Sequence, residues 1–400
     1  MEKKAVLIFS WAVLILLLSG SFLTVNAEES LQAHSAILME ASRGEVIFAQ
    51  NEHEPLPPAS ITKIMTMLLI MEALEEGRVS MDDEVVVSEW AAHMGGSQIW
   101  LEVGEKMSFE DLFKAVAIAS ANDASVALAE HIYGSEETFV ERMNERGREL
   151  GLKNTVFYNC TGLPGEDGQE NLTSAYDVAL VSKELLNYPQ VLDYTRIWID
   201  HLRDGKSVLN NTNRLVRHFP GVDGLKTGFT NEALFCLSAT GIRDGVRMIA
   251  VVMQAPTSQV RFQEVSQLLT RGFGTFRGVK VAGAGEKVTK VPVTKGEEDF
   301  VWGLMEDEVL IPVRRGEEGN FSKRVEWRKN ILAPIPRGAV LGKVTFFHEE
   351  NPVAESNLLA EKEVQRGNWG KLMHEFSDNF LRNLFRILPG QKRELPGDRE

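Results

Sequence analysis

The chain reads Pro58-Ala59-Ser60-Ile61-Thr62-Lys63 where a proline-rich break gives way to an apolar run that extends to Glu75. This pattern predicts a helix over 60–75, with Ser60 and Lys63 on adjacent turns of one face. A serine hydroxyl is a weak nucleophile and needs a base, and a lysine can be that base only if its ammonium form is destabilised. Nucleophilic catalysis is therefore one interpretation of the motif, and a helix-capping serine beside a surface lysine is the other.

The segments on either side of this motif predict a mixed fold. Upstream, the runs SAILME and GEVIFA flank a turn at 41–44 and predict a β-hairpin. Downstream, we expect helices at 109–119, 124–133, 136–150, 174–186 and 258–272, and strands at 224–227, 235–240 and 247–253. Strands thus open and close region 28–276, which predicts an α/β (α+β) domain with an antiparallel sheet and flanking helices.

Two polar triplets further along the chain add to the first motif. Ser120-Ala121-Asn122 lies between two predicted helices, where short polar side chains can point into a cleft. Lys226-Thr227-Gly228 ends a predicted strand, where Lys and Thr can grip a carboxylate and Gly permits close approach of a substrate backbone. Each triplet alone is typical of helix capping or of a plain hairpin. Three motifs in this order favour a shared catalytic pocket.

The pattern changes after residue 276. Short β-type runs at 280–292, 300–312 and 323–347 predict a small all-β domain over 277–355, with a polar connector within 348–365. The segment 356–400 is predicted to be a linker, an amphipathic helix and a polar tail. Its apolar stripe would lie in a membrane interface or, alternatively, pack on the β domain: Trp369, Leu372, Met373, Phe376, Phe380, Leu384 and Leu388.

The N-terminus predicts export. Residues 1–27 combine a short basic start, an apolar run and the ending Val25-Asn26-Ala27, which is typical of a cleaved signal peptide. An uncleaved anchor helix is the alternative, because the apolar run is nearly long enough to span a bilayer. Either interpretation places the rest of the protein outside the cytoplasmic membrane.

Composition argues against several classes of function. The formal net charge of −14 opposes nonspecific binding of nucleic acid, since phosphates would be repelled. Cys160 and Cys236 are too few for a disulfide framework; we expect buried thiols, although one bridge is possible. The eight histidines are scattered without a zinc-hydrolase motif, so neither a metal nor another cofactor is expected.

The motifs S-x-x-K, S-x-N and K-T-G, in this order, resemble the set of the penicillin-recognising serine acyltransferases. Over roughly 35–272 the chain resembles the low-molecular-mass penicillin-binding proteins that act as D-alanyl-D-alanine carboxypeptidases. The segments that carry this resemblance are LMEASRGEVIF, PPASITKIMT, GGSQIWLEVGE, ASANDASVALAE, NCTGLP, GVDGLKTGFT and CLSATG. The resemblance implies a β-lactamase/transpeptidase-like fold for the first domain.

The resemblance also implies catalytic roles. Ser60 would attack the carbonyl between the two terminal D-alanines of a peptidoglycan stem peptide, and Lys63 would take the serine proton. Ser120, in a hydrogen-bond network shared with both lysines, would relay a proton to the leaving amine. Asn122 would orient the acyl-side amide, and Lys226 would attract the carboxylate and lower the pKa of Lys63.

The other residues implied by the resemblance bind substrate. Thr227 would hydrogen-bond the terminal carboxylate, with Gly228 beside it. The backbone amides of Ser60 and Phe229 would form the oxyanion hole. Arg261 occupies the position of an arginine that the family uses to hold the carboxylate network.

The predicted function is thus a serine-type D-Ala-D-Ala carboxypeptidase, bound peripherally to the outer face of the cytoplasmic membrane and also acylated by β-lactams. A β-lactamase would need a water-activating carboxylate, and Glu166, Asp167 and Glu170 do not follow the E-x-x-L-N order of class A enzymes. A transpeptidase shares every motif. A non-catalytic penicillin sensor, the remaining alternative, would be free to lose Lys63 or Ser120.

Overall fold

The computed structural model describes residues 30–368 apart from 166, 167 and 318, together with Met373. The predicted signal peptide and nearly all of the predicted C-terminal helix lie outside these residues. The helices are α1 Lys63–Glu75, α2 Glu89–Ala92, α3 Phe109–Lys114, α4 Asn122–Tyr133, α5 Glu136–Glu149, α6 Ala175–Leu185, α7 Val191–Thr195, α8 Leu215–His218 and α9 Ser258–Thr275. The strands of the first domain are β1 Ser35–Glu40, β2 Glu45–Gln50, β3 Glu84–Val86, β4 Lys106–Ser108, β5 Ile199–Leu202, β6 Ser207–Asn210, β7 Val222–Thr230, β8 Leu234–Arg243 and β9 Val246–Ala255.

A five-stranded antiparallel sheet, in the order β2-β1-β9-β8-β7, forms the centre of the first domain. Side chains alternate along β1 because successive residues of a strand face opposite sides. Ile37 and Met39 pack into the layer of α1, α3 and α4, whereas Ala36 and Leu38 pack against α9. The predicted α/β domain, with its sheet built from both ends of the region, is confirmed.

The helical segment before the S-x-N triplet differs from the prediction. The expected helix over 109–119 is α3 followed by a wider π-type turn at Ala115–Ala119. This turn ends at Ser120, whose backbone is left-handed with φ 67°. Such a turn is common at functional sites and here places Ser120 directly before α4.

The second domain carries the strands β10 Phe276–Ala282, β11 Lys287–Pro292, β12 Phe300–Met305, β13 Val309–Arg314, β14 Phe321–Trp327, β15 Val340–His348 and β16 Asn351–Ala360. Strands β10 and β13 form one ladder, and the others form a sheet in the order β11-β12-β16-β15-β14. The prediction of a polar connector within 348–365 is wrong, because β16 occupies most of it and crosses the expected boundary at 355. Only the last residues of β16 bury apolar side chains, with Leu358 fully buried. The mostly polar sequence of the rest gave no strand pattern.

Candidate active site

Ser60 lies in a one-turn 3-10 helix, Ala59–Thr62, that leads into α1. Two glycines from distant segments allow close contact with this turn. A Cβ at Gly162 would lie 1.9 Å from the carbonyl oxygen of Ala59, and one at Gly228 would lie 2.5 Å from that of Pro58. The turn is therefore held between the 159–163 loop and strand β7, which leaves Ser60 only partly exposed.

Lys63 is fully buried next to Ser60. Its Nζ lies 3.1 Å from Ser60 Oγ, 2.5 Å from Asn122 Oδ1 and 2.7 Å from the carbonyl oxygen of Thr161. The predicted neighbourhood of the first two motifs is therefore present, with the 159–163 loop as a third participant.

Burial lowers the pKa of Lys63 to about 7, against smaller opposing effects of Cys160 and Asp123. The expectation that Lys226 lowers this pKa is not met, since burial causes the shift. The charge effect runs the other way: burial keeps the pKa of Lys226 well below that of an ordinary lysine, and the charges of Lys63 and Arg261 lower it further.

The contacts of Ser120 and Asn122 differ from those that were expected. Ser120 Oγ is buried, and within the described part of the chain it has no hydrogen-bond partner, so the predicted network with both lysines is not formed. Lys63 contacts Ser60, Asn122 and Thr161 instead of Ser120. Lys226 Nζ donates to the carbonyl oxygen of Thr227 at 3.2 Å. Asn122 accepts from Lys63 through Oδ1 and donates through Nδ2 to the carbonyl oxygen of Gly95 at 2.8 Å.

The K-T-G motif lies on β7 beside the serine turn. Gly228 was expected to admit a substrate backbone, but its missing side chain instead admits the carbonyl of Pro58. Thr227 donates from Oγ1 to Thr212 Oγ1 at 2.7 Å and is nearly buried. Phe229 is half exposed and packs on Phe235 with ring centroids 4.5 Å apart.

Arg261 reaches β7 and β8 from the buried side of α9. Its Nη1 donates to the carbonyl oxygens of Gly228 and Cys236, both at 3.2 Å. Burial lowers its pKa to about 10, which leaves it cationic at neutral pH. Arg261 therefore supports the motif strand from behind and adds positive charge near Lys226.

The motif analysis missed groups that hold the site together. Thr161 contributes only a backbone carbonyl, which side-chain chemistry does not reveal, although the turn-forming Asn-x-Thr-Gly pattern marks a constrained loop. Asp123 is fully buried and accepts from the backbone amides of Ile99 and Leu101. Cys160 is a buried free thiol, as is Cys236, so that expectation is confirmed.

Two family models match the chain. The D-alanyl-D-alanine carboxypeptidase family, peptidase S11, matches residues 23–257. The C-terminal domain of penicillin-binding protein 5 matches residues 276–366. The second match extends beyond β16, in agreement with the observed extent of the β domain.

Curated relatives and solved structures agree with these matches. D-alanyl-D-alanine carboxypeptidase DacF of Bacillus subtilis is 44% identical over 348 residues, covering 86% of this chain and 89% of that protein. DacA of Haemophilus influenzae is 33% identical, covering 86% and 88%. The crystal structure of a Streptococcus pneumoniae peptidoglycan synthesis regulatory factor, PBP3, matches with TM-score 0.69 and 30% identity, covering 84% of this chain and all of that one. The motif residues, their spatial assembly and these matches together show that the chain belongs to the D-alanyl-D-alanine carboxypeptidase family of low-molecular-mass penicillin-binding proteins.

Proposed function

We propose that this protein removes the terminal D-alanine from peptidoglycan stem peptides through an acyl-enzyme on Ser60, and that β-lactams acylate the same oxygen. One observation carries the proposal: a fully buried lysine whose Nζ lies 3.1 Å from a partly exposed serine hydroxyl. A lysine whose pKa is lowered to about 7 at that distance from the hydroxyl is positioned as a general base.

The contacts of Lys63 suggest where the serine proton goes. Neutral Lys63 has two N–H bonds, for which Asn122 Oδ1 and the carbonyl oxygen of Thr161 are acceptors. Its lone pair is then left for the Ser60 hydroxyl. As Ser60 Oγ attacks the scissile carbonyl, the proton passes to Nζ and the resulting ammonium is stabilised by the same two acceptors.

The K-T-G strand is proposed to bind the substrate carboxylate. An anion raises the pKa of a neighbouring lysine, so a bound carboxylate would hold Lys226 in its ammonium form. Thr227 Oγ1 would turn from Thr212 toward the same carboxylate. Arg261 acts as a positioning residue, because it contacts the carbonyl of Gly228 rather than the cleft.

The remaining steps need an oxyanion hole and a second proton transfer. The amides of Ser60 and Phe229 would donate to the tetrahedral oxyanion. Ser120, whose buried hydroxyl has no partner among the described residues, has hydrogen-bonding capacity left for the leaving amine. When the C–N bond breaks, this amine would receive the proton held by Lys63 through Ser120, and water would then hydrolyse the Ser60 ester.

The proposal is tested by measuring D-alanine release from a diacetyl-L-Lys-D-Ala-D-Ala peptide. We expect steady turnover by the wild type, none by Ser60→Ala, and no covalent labelling of that variant by a tagged penicillin. Ser266→Ala is the matched control and should behave as the wild type, because the Ser266 hydroxyl donates to the carbonyl oxygen of Phe262 within helix α9. Labelling of Ser60→Ala would identify a different nucleophile, one-shot acylation without release would indicate a sensor, and rapid destruction of penicillin a β-lactamase.

The proposed location is the outer face of the cytoplasmic membrane. Residues 1–27 would be removed on export, and the amphipathic segment within 356–400 would bind the membrane surface. Among the described residues no helix has both the length and the apolar character needed to cross a bilayer. The apolar stripe of the C-terminal segment is proposed to attach the protein, because its residue spacing is that of an amphipathic helix.

A further inference from the structure

A cavity of about 510 Å³ lies beside the catalytic residues, between helices α2 and α5 and the described loop residues 158–165 and 169. Trp90, Glu136, Tyr158, Gly95 and Thr161 are among the residues that line it. None of these has a role in the acylation chemistry apart from the backbone carbonyls of the last two.

Those two carbonyls connect the cavity to the catalytic centre. Gly95 accepts from Asn122 Nδ2, and Thr161 accepts from Lys63 Nζ. The cavity therefore begins one residue away from the side chains that surround Ser60. A peptide whose scissile carbonyl lies at Ser60 and whose acyl side passes Asn122 would bring its next side chain to this opening.

Glu136 gives the cavity its chemical character. This carboxylate is only 8% exposed, and among the described residues Cys160 N donates to Oε1 at 3.1 Å and Trp90 Nε1 donates to Oε2 at 2.8 Å. The Cys160 thiol also hydrogen-bonds to this carboxylate. A carboxylate has about four acceptor positions, so these three donors leave capacity for another. The half-exposed rings of Trp90 and Tyr158 also line the cavity, and aromatic faces attract ammonium groups.

The surrounding charge favours a cation. Glu137 lines the same cavity, and none of the described residues in its lining is lysine or arginine. Nearby Glu130 lies close to the same charges: burial raises its pKa and the negative charges of Glu136 and Glu137 raise it further, against a hydrogen bond from Ser88 that lowers it.

We propose that this cavity binds a primary ammonium carried by the side chain of the residue before D-Ala-D-Ala, with Glu136 as its specificity-determining partner. The proposal rests on the proposed function, because it places the acyl side of a stem peptide beside Asn122. The ammonium would donate to the free positions of the Glu136 carboxylate, with the rings of Trp90 and Tyr158 next to it.

Two peptides that differ only in this charge test the proposal. Nα-acetyl-L-Lys-D-Ala-D-Ala has a free side-chain ammonium, whereas the Nα,Nε-diacetyl form does not. For the wild type we expect kcat/KM for D-alanine release to be about 10- to 100-fold higher with the free ammonium, as for a charge-assisted hydrogen bond. Equal values for the two peptides, with release observed for both, would overturn the proposal whatever any variant does.

Variants assign the preference to the cavity rather than to the overall negative charge. Glu136→Gln should lose most of it, so that the ratio of kcat/KM for the free-ammonium peptide to that for the diacetyl peptide falls toward one. Glu141→Gln removes the same charge from an exposed position of α5 outside the cavity and should keep the preference. A preference that persists in Glu136→Gln would contradict the assignment, and absence of release from both peptides by the wild type would instead contradict the proposed function.

Discussion

At the scale of single residues, the proposed mechanism depends on the protonation of Lys63. Its pKa of about 7 makes the side chain partly neutral at physiological pH, and only the neutral form can accept the Ser60 proton. We predict that the rate of penicillin acylation rises about tenfold per pH unit below that pKa and levels off above it. Rapid-mixing measurements of acylation across the pH range check this.

Two other pH profiles of the acylation rate would contradict this prediction. If the acylation rate rises only near the pKa of an ordinary lysine, or does not change through neutral pH, Lys63 is not the general base. Lys63→Arg serves as the companion variant, since a guanidinium stays protonated and should not support acylation at any pH in this range.

Gly228 is the second residue on which the site depends. In Gly228→Ala the new Cβ would lie 2.5 Å from the carbonyl oxygen of Pro58, so strand β7 and the serine turn must separate. We predict that penicillin acylation slows by about 100-fold or more, because small displacements of reacting groups are costly. Gly274→Ala is the control, since a Cβ there meets nothing within 4 Å. Equal acylation by both variants would mean that the two elements need not be in close contact.

At the scale of elements, Asp123 joins the start of α4 to the segment at 99–101. Its carboxylate accepts from the amides of Ile99 and Leu101 at 3.1 Å each and of Ala124 at 2.9 Å. Asp123→Ala leaves these buried donors without their acceptor, and we predict a loss of about 3 kcal/mol, or roughly 6–12 °C in Tm. Thermal unfolding measures it.

The exposed Asp193, which pairs with Arg196 on the surface, provides the comparison. Asp193→Ala should change the free energy of unfolding by less than about 0.5 kcal/mol, as expected for a surface ion pair. If both variants unfold at the same temperature, the buried carboxylate does not stabilise this junction.

At the scale of the whole molecule, the backbone pairing of the second domain extends to residue 367, before the apolar stripe that starts at Trp369. Val364 pairs with Ile335, Arg366 with Gly296, and Gly367 donates to the carbonyl oxygen of Lys295. Deletion of 369–400 should therefore leave a folded protein that tagged penicillin still labels. We predict that the mature truncated protein is released from membranes, as measured by sedimentation with vesicles. Retention on vesicles at the level of the mature full chain would show that another surface attaches the protein.

The catalytic motifs were predictable because their chemistry depends on short spacings. Ser60 and Lys63 are three residues apart, and a helical turn brings them together without reference to the rest of the chain. The lack of a described partner for the Ser120 hydroxyl and the contact of Gly228 with Pro58 were not predictable, because each depends on segments distant in sequence. The strand β16 was missed for a related reason: its pairing with β15, rather than its own mostly polar residues, makes it a strand.

Local pattern, together with the family resemblance, was sufficient to predict the mixed α/β domain and the β-rich domain after it and to propose Ser60 as the nucleophile and Lys63 as its base, since residue type and periodicity are properties of neighbours along the chain. The reactivity of Lys63 has another origin. Its pKa is lowered because it is fully buried, in contact with Asn122 at the start of α4 and with the 159–163 loop, and desolvation depends on every group that surrounds a charge. That enclosure exists only after the chain has folded.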